Sequence, residues 1–174
     1  LSLHDALPIS DKTGTLTENN LAVTNIWGEK NTVLEYALLA AGEHVSLGTA
    51  RDSFDKALCA AVTKDIQARL EQYTCIETVP FDPMTRVNSV LMQERGTGKH
   101  TRIVRGAPEE ILRRVDRVDS YTRNQIQQWI TAAGLRGERV LGIAIQEEAT
   151  YLKSFSAEGR MRLIGFVTFL DPIK

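Results

Sequence analysis

The chain is short of the residues that build metal or disulfide scaffolds. Its two cysteines, Cys59 and Cys75, and its three histidines, His4, His44 and His100, fall at no ligand spacing, so reduced thiols and structural or surface imidazoles are expected. No apolar stretch approaches the roughly 20 residues that carry a helix across a bilayer. Neither sign of charge dominates: 21 Lys+Arg stand against 22 Asp+Glu, leaving no net field to recruit nucleic acid or an anionic membrane surface. Internal repeats, low-complexity tracts and proline-rich linkers are missing as well. What remains is 174 residues, 43% hydrophobic and 25% charged, enough to bury one proper core.

Against that plain background one string carries chemistry, Asp11-Lys12-Thr13-Gly14-Thr15-Leu16-Thr17. An aspartate carboxylate can accept a phosphoryl group covalently, dividing one hard hydrolysis into two easier steps. Lys12 sets a cation beside the incoming oxygens, Thr13 and Thr15 add hydroxyl donors, and Gly14 lets the backbone approach closely.

Periodicity supplies the elements. A strand is expected over 21–27 and a helix over 32–41, followed by a small, polar loop over 42–51. Phe54, Leu58, Val62, Ile66 and Leu70 recur every fourth residue and predict one helix over 52–71, N-capped by Asp52, with Asp55 complementing the helix dipole. Strands are expected over 74–81 and 86–94 around the Asp82-Pro83 turn, and Gly96-Thr97-Gly98 reads as a hairpin to a strand over 101–104 rather than as a phosphate cradle. Pro108 opens a helix with Glu109 and Glu110 in its first turn and Arg113 and Arg114 in its last. A further helix is expected over 121–133 with Gly134 as its stop, then strands over 140–145 and 163–169. Hairpin-linked strands with grouped helices predict an α+β fold, an antiparallel sheet flanked by helices.

The string DKTGTLT resembles the phosphorylation motif of the P-type ATPases, ion pumps that form an aspartyl-phosphate. The related haloacid-dehalogenase-like phosphatases carry a second aspartate two residues on as general acid and base; here Thr13 stands there and has no useful proton affinity near neutral pH. A phosphoenzyme without that base hydrolyses slowly, as a pump requires. By this resemblance Asp11, Lys12 and Thr13 are the catalytic residues, and Asp11 and Thr13 hold magnesium.

Further segments resemble the nucleotide-binding domain of the same pumps, in family order. Phe81-Asp82-Pro83 with Arg86 implies an aromatic platform for adenine and a cation near the phosphates. Arg105-Gly106-Ala107 matches the family's Lys-Gly-Ala with arginine for lysine, which keeps the charge on a larger, rigid fork. Arg139-Val140-Leu141 is similar to an Arg-x-Leu at a strand start; taken alone, Arg139 reads as a surface charge. Asp52-x-x-Asp55-x-Ala57 is similar to a pattern of some family members, although capping accounts for it by itself. Gly165–Lys174 resembles the return to the phosphorylation domain.

The resemblance implies four stretches: residues 1–9, whose LSLHDALPI is similar to the conceptual translation of a sequencing adapter, so that native sequence is expected to begin near Ser10; the start of the phosphorylation domain at 10–20; a nucleotide-binding domain at 21–168; and the hinge return at 169–174. ATP and Mg2+ are the implied ligands. The implied partners are the remainder of the pump, its phosphorylation, actuator and transmembrane domains, around a cytoplasmic domain of an integral membrane protein, most like the proton-pumping subclass. A soluble dehalogenase-like phosphatase or phosphotransferase and a non-catalytic nucleotide-binding module are the other readings.

Overall fold

The computed structural model describes residues 20–42, 52–147 and 161–172. Asp11, Lys12 and Thr13, the leader at 1–9 and the loop at 43–51 lie outside the described residues.

Six strands form one fully antiparallel sheet: β1 (Ala22–Trp27), β2 (Tyr73–Asp82), β3 (Val87–Glu94), β4 (His100–Gly106), β5 (Arg139–Glu147) and β6 (Arg162–Leu170), in the order β1-β6-β5-β4-β3-β2. The helices are α1 (Lys30–Leu39), α2 (Ser53–Ala61), α3 (Lys64–Leu70), α4 (Pro108–Arg114) and α5 (Ser120–Leu135). This is the expected α+β arrangement.

Strand alternation sends side chains to opposite faces, and each face has its own helices and core. On one face α1, α2 and α3 pack Val33, Leu34, Leu38, Leu58 and Ile66 against Val90, Ile103, Ile143, Ile145 and Phe169 of the sheet. On the other, α4 and α5 pack Ile111, Leu112 and Ile126 against Val104, Ala144 and Phe166. Phe166 lies between Trp27 and Trp129, with ring centroids 5.9 and 6.4 Å away.

Most element ends differ from the sequence reading by one or two residues, and two differences change how a helix begins or ends. The single helix expected over 52–71 is two helices, broken at Val62, whose backbone is extended at φ −84° and ψ 149°. Thr63 starts the second, its hydroxyl accepting from the Ile66 N–H at 3.4 Å. The apolar stripe survives because Phe54, Leu58, Val62, Ile66 and Leu70 all still pack into the first core. A four-residue repeat cannot distinguish one continuous helix from two shorter ones separated by a capped joint. Gly134 does not stop α5 either; the helix runs through Leu135, and the left-handed residue beyond its end is Gly137, at φ +75°.

Candidate functional site

Register places the ends of several strands together. Asp82 of β2 pairs with Val87 of β3, Val87 with Gly106 of β4, and Gly106 with Gly142 of β5, three residues after Arg139. Phe81, Arg86, Arg105, Gly106 and Arg139 therefore gather at one end of the sheet. The polypeptide also enters β1 and leaves β6 at this end, since Ala22 pairs with Leu170 and Arg139 with Phe169.

Phe81 sits where β2 is irregular. Val79 opposes Ser89 and Asp82 opposes Val87, so Pro80 and Phe81 together oppose Asn88. The residue is 58% exposed and belongs to neither core cluster. Nearby Met84 is 89% exposed in the turn, its N–H bonded to Asp82 Oδ1 at 2.9 Å.

Arg105 does the reverse. It is buried, and its Nη1 donates to Asp55 Oδ1 at 2.7 Å and to the Ala37 carbonyl at 3.0 Å. The cation thus ties β4 to both α1 and α2. Burial pushes the Asp55 carboxyl above its ordinary range, and the Arg105 guanidinium opposes that push. Asp52 caps α2 by accepting the Asp55 N–H at 2.7 Å, as expected. The direct link from Asp55 to Arg105 is what sequence reasoning missed. Both residues stood in motifs of interest, but a pairing 50 positions apart has no local signature.

Gly106 leaves room for the chain itself. A Cβ there would lie 2.3 Å from the Arg86 carbonyl oxygen and 2.7 Å from Val87 Cα. Arg86 holds a left-handed backbone at φ 56°, its N–H donating to Asp82 O at 2.7 Å and its carbonyl accepting from Ala107 at 3.1 Å. Its guanidinium turns toward the first turn of α4, 2.6 Å from Glu109 Oε1 and 3.6 Å from Glu110 Oε1.

Arg139 opens β5 and is exposed. Leu141, Ile143 and Ile145 line the α1–α3 core, so alternation puts Arg139 on the same face as Arg105. Its predecessor Glu138 is occupied by Arg136 at 2.9 Å and Asn25 at 3.2 Å.

The end thus offers one exposed aromatic face and three arginines, of which Arg105 and Arg86 already hold carboxylates. That fits a planar base and leaves Arg139 directly open to anionic oxygens. No group of three or more His, Cys, Asp or Glu side chains suited to a metal occurs among the described residues. A cavity of about 600 Å³, lined by residues including Tyr36, Tyr73, Glu94 and His100, opens at the opposite end of β3 and β4. Another of about 300 Å³ lies between α4 and α5. None of the five residues above lines either one.

Comparison with known proteins adds independent findings. The family model for the P-type ATPase cytoplasmic domain N matches residues 13–174. Probable proton ATPase 1A of Leishmania donovani is 30% identical over 166 residues, covering 94% of this chain and 16% of that protein. The plasma membrane ATPase of Neurospora crassa is 28% identical over 177 residues, covering 94% and 17%. Plasma membrane ATPase 1 of Candida albicans is 28% identical over 172 residues, covering 94% and 18%. The chain spans about a sixth of the length of the curated relatives it matches.

Proposed function

We propose, for a chain that belongs to the P-type ATPases through their cytoplasmic domain N, that the end of the sheet bearing Phe81 and Arg139 binds ATP for phosphoryl transfer to Asp11. The observation that carries this is topological. The strand entry after residue 20 and the exit at 171–172 lie at the same end as Phe81, Arg86, Arg105, Gly106 and Arg139. Asp11 is ten residues before Leu21, and an extended chain of that length reaches about 35 Å.

In this reading the adenine stacks on Phe81, which is already exposed to receive it. Arg139 meets the phosphates, Arg86 joins once its guanidinium leaves α4, and the buried Arg105 with Asp55 forms the floor. Asp11 takes the phosphoryl group, Lys12 and Thr13 neutralise and orient the oxygens, and Thr13 withholds the base that hydrolyses the intermediate quickly. Asp11 and Thr13 offer the hard oxygen donors magnesium prefers, and when bound it neutralises charge on the transferring phosphoryl group.

The stretch 21–168 is the nucleotide-binding part, 10–20 the start of the phosphorylation domain and 169–174 the return to it. The whole protein is a cation pump, by its relatives a proton exporter, with this chain on the cytoplasmic side and the phosphorylation, actuator and transmembrane domains as its partners. By itself the 174-residue chain binds ATP without turning it over, since phosphoryl transfer draws on the phosphorylation domain that is its partner in the whole protein.

Labelling the intact pump with γ-³²P-ATP tests the assignment. An acyl-phosphate that hydroxylamine releases and that Asp11→Asn abolishes is expected; undiminished label in Asp11→Asn overturns it.

A further inference from the structure

We propose that Glu109 is a specificity-determining residue of this site, holding Arg86 in a latch that only a phosphate chain releases. The inference rests on the ATP-site reading and adds a competitor built into the fold.

Backbone geometry leaves Arg86 little freedom except in its side chain. Its N–H is tied to Asp82 O at 2.7 Å, its carbonyl accepts from Ala107 at 3.1 Å, and Gly106 packs directly on that carbonyl. The φ of 56° is held by these contacts, since a non-glycine residue adopts it at a cost. The guanidinium swings from this fixed base.

The two carboxylates near it are not equivalent. Glu110 is buried, already bonded by Arg114 at 3.0 Å and met by Arg113 at 3.3 Å, and these cations, Arg114 first, hold its carboxyl below the usual range. Its 3.6 Å approach to Arg86 is secondary. Glu109 is half exposed and meets Arg86 at 2.6 Å; no other cation lies within ion-pair distance of it among the described residues. Glu109 therefore holds the guanidinium on the α4 side of the sheet end, away from the Arg105–Asp55 face.

A phosphate chain offers the same fork a doubly charged acceptor and displaces the carboxylate. A ligand without phosphates has nothing to exchange for it. Glu109 thus lowers affinity for phosphorylated nucleotides and leaves the bare nucleoside untouched, and the latch closes again when phosphate departs. Exposed pairs of this kind are weak, which sets the effect at about two- to fivefold.

Calorimetric titration of the full 174-residue chain with ATP and with adenosine, in wild type, Glu109→Gln, Arg86→Ala and the double variant, tests the latch. Glu109→Gln should tighten ATP by about two- to fivefold, leave adenosine unchanged, and have no effect once Arg86 is alanine. Thermal melts of each variant check that the fold is intact. Equal ATP affinity in wild type and Glu109→Gln, or a gain that persists in the Arg86→Ala background, overturns the latch and leaves the site standing. Failure of either ligand to bind wild type overturns the site itself.

Discussion

Asp55 and Arg105 show how much rests on one pair of side chains. Their side chains are only 9% and 8% exposed, so removing one partner leaves a charge with neither water nor a counterion. Asp55→Ala should cost about 3–5 kcal/mol in urea unfolding, whereas replacing both residues with apolar side chains of similar volume should recover most of it. A double variant no more stable than the single one would show that the pair matters for something other than charge compensation. Gly106 makes an equally sharp point. Gly106→Ala drives a methyl into the Arg86 carbonyl and should destabilise by about 1–3 kcal/mol or more. Sequence motifs identified both Arg105 and Gly106 as interesting, yet gave neither physical role. The arginine is held by a carboxylate from a distant helix, and the glycine yields its space to a neighbouring strand end. Such roles arise from tertiary contact and leave no trace in local spacing.

At the level of elements, most strands and helices were legible because their apolar residues repeat at two or near four and their termini carry strong signals. Pro108, the acidic first turn and the basic last turn of α4 stand where expected. The joint between α2 and α3 was not legible, since the apolar stripe continues across it and only Thr63 hints at a new start. Misplacing the end of α5 has a direct test. Gly134 is inside the helix with open space around it, so Gly134→Ala should raise stability by about 0.5–1 kcal/mol; a loss would mean the residue is needed as a stop after all. Helix caps also set a pH response. The Asp119 carboxyl is held below its usual range by the backbone N–H of Thr122, then by its hydroxyl, and Glu29 likewise by the hydroxyl and N–H of Thr32. A depressed folded value means that cap stabilisation is complete above the ordinary carboxylate pKa of about 4 and is lost as pH falls through the lower folded one. The melting-temperature gap between wild type and Asp119→Ala should therefore narrow below about pH 4, and a gap independent of pH would rule this out.

Across the whole molecule, a sheet with helices on both faces leaves its strand ends as the place where separate segments meet. The order β1-β6-β5-β4-β3-β2 puts the first and last strands side by side, so both crossings out of the sheet leave together. That is the arrangement a domain needs if it is to be hinged to another that carries the reacting carboxylate. The fold class followed from hairpin-linked strands and grouped helices, but the convergence of Phe81, Arg86, Arg105 and Arg139 on one end depends on register, which no single segment encodes. The cavity at the far end of β3 and β4 is the natural competitor as a ligand site, and it can be separated from the proposed one directly. Amide chemical shifts of the 174-residue chain, followed during titration with ATP, should move at Phe81, Gly106 and Arg139 while Glu94 and His100 stay in place. Shifts confined to Glu94, His100 and Tyr73, or no shifts at all, would contradict an ATP site at this end of the sheet.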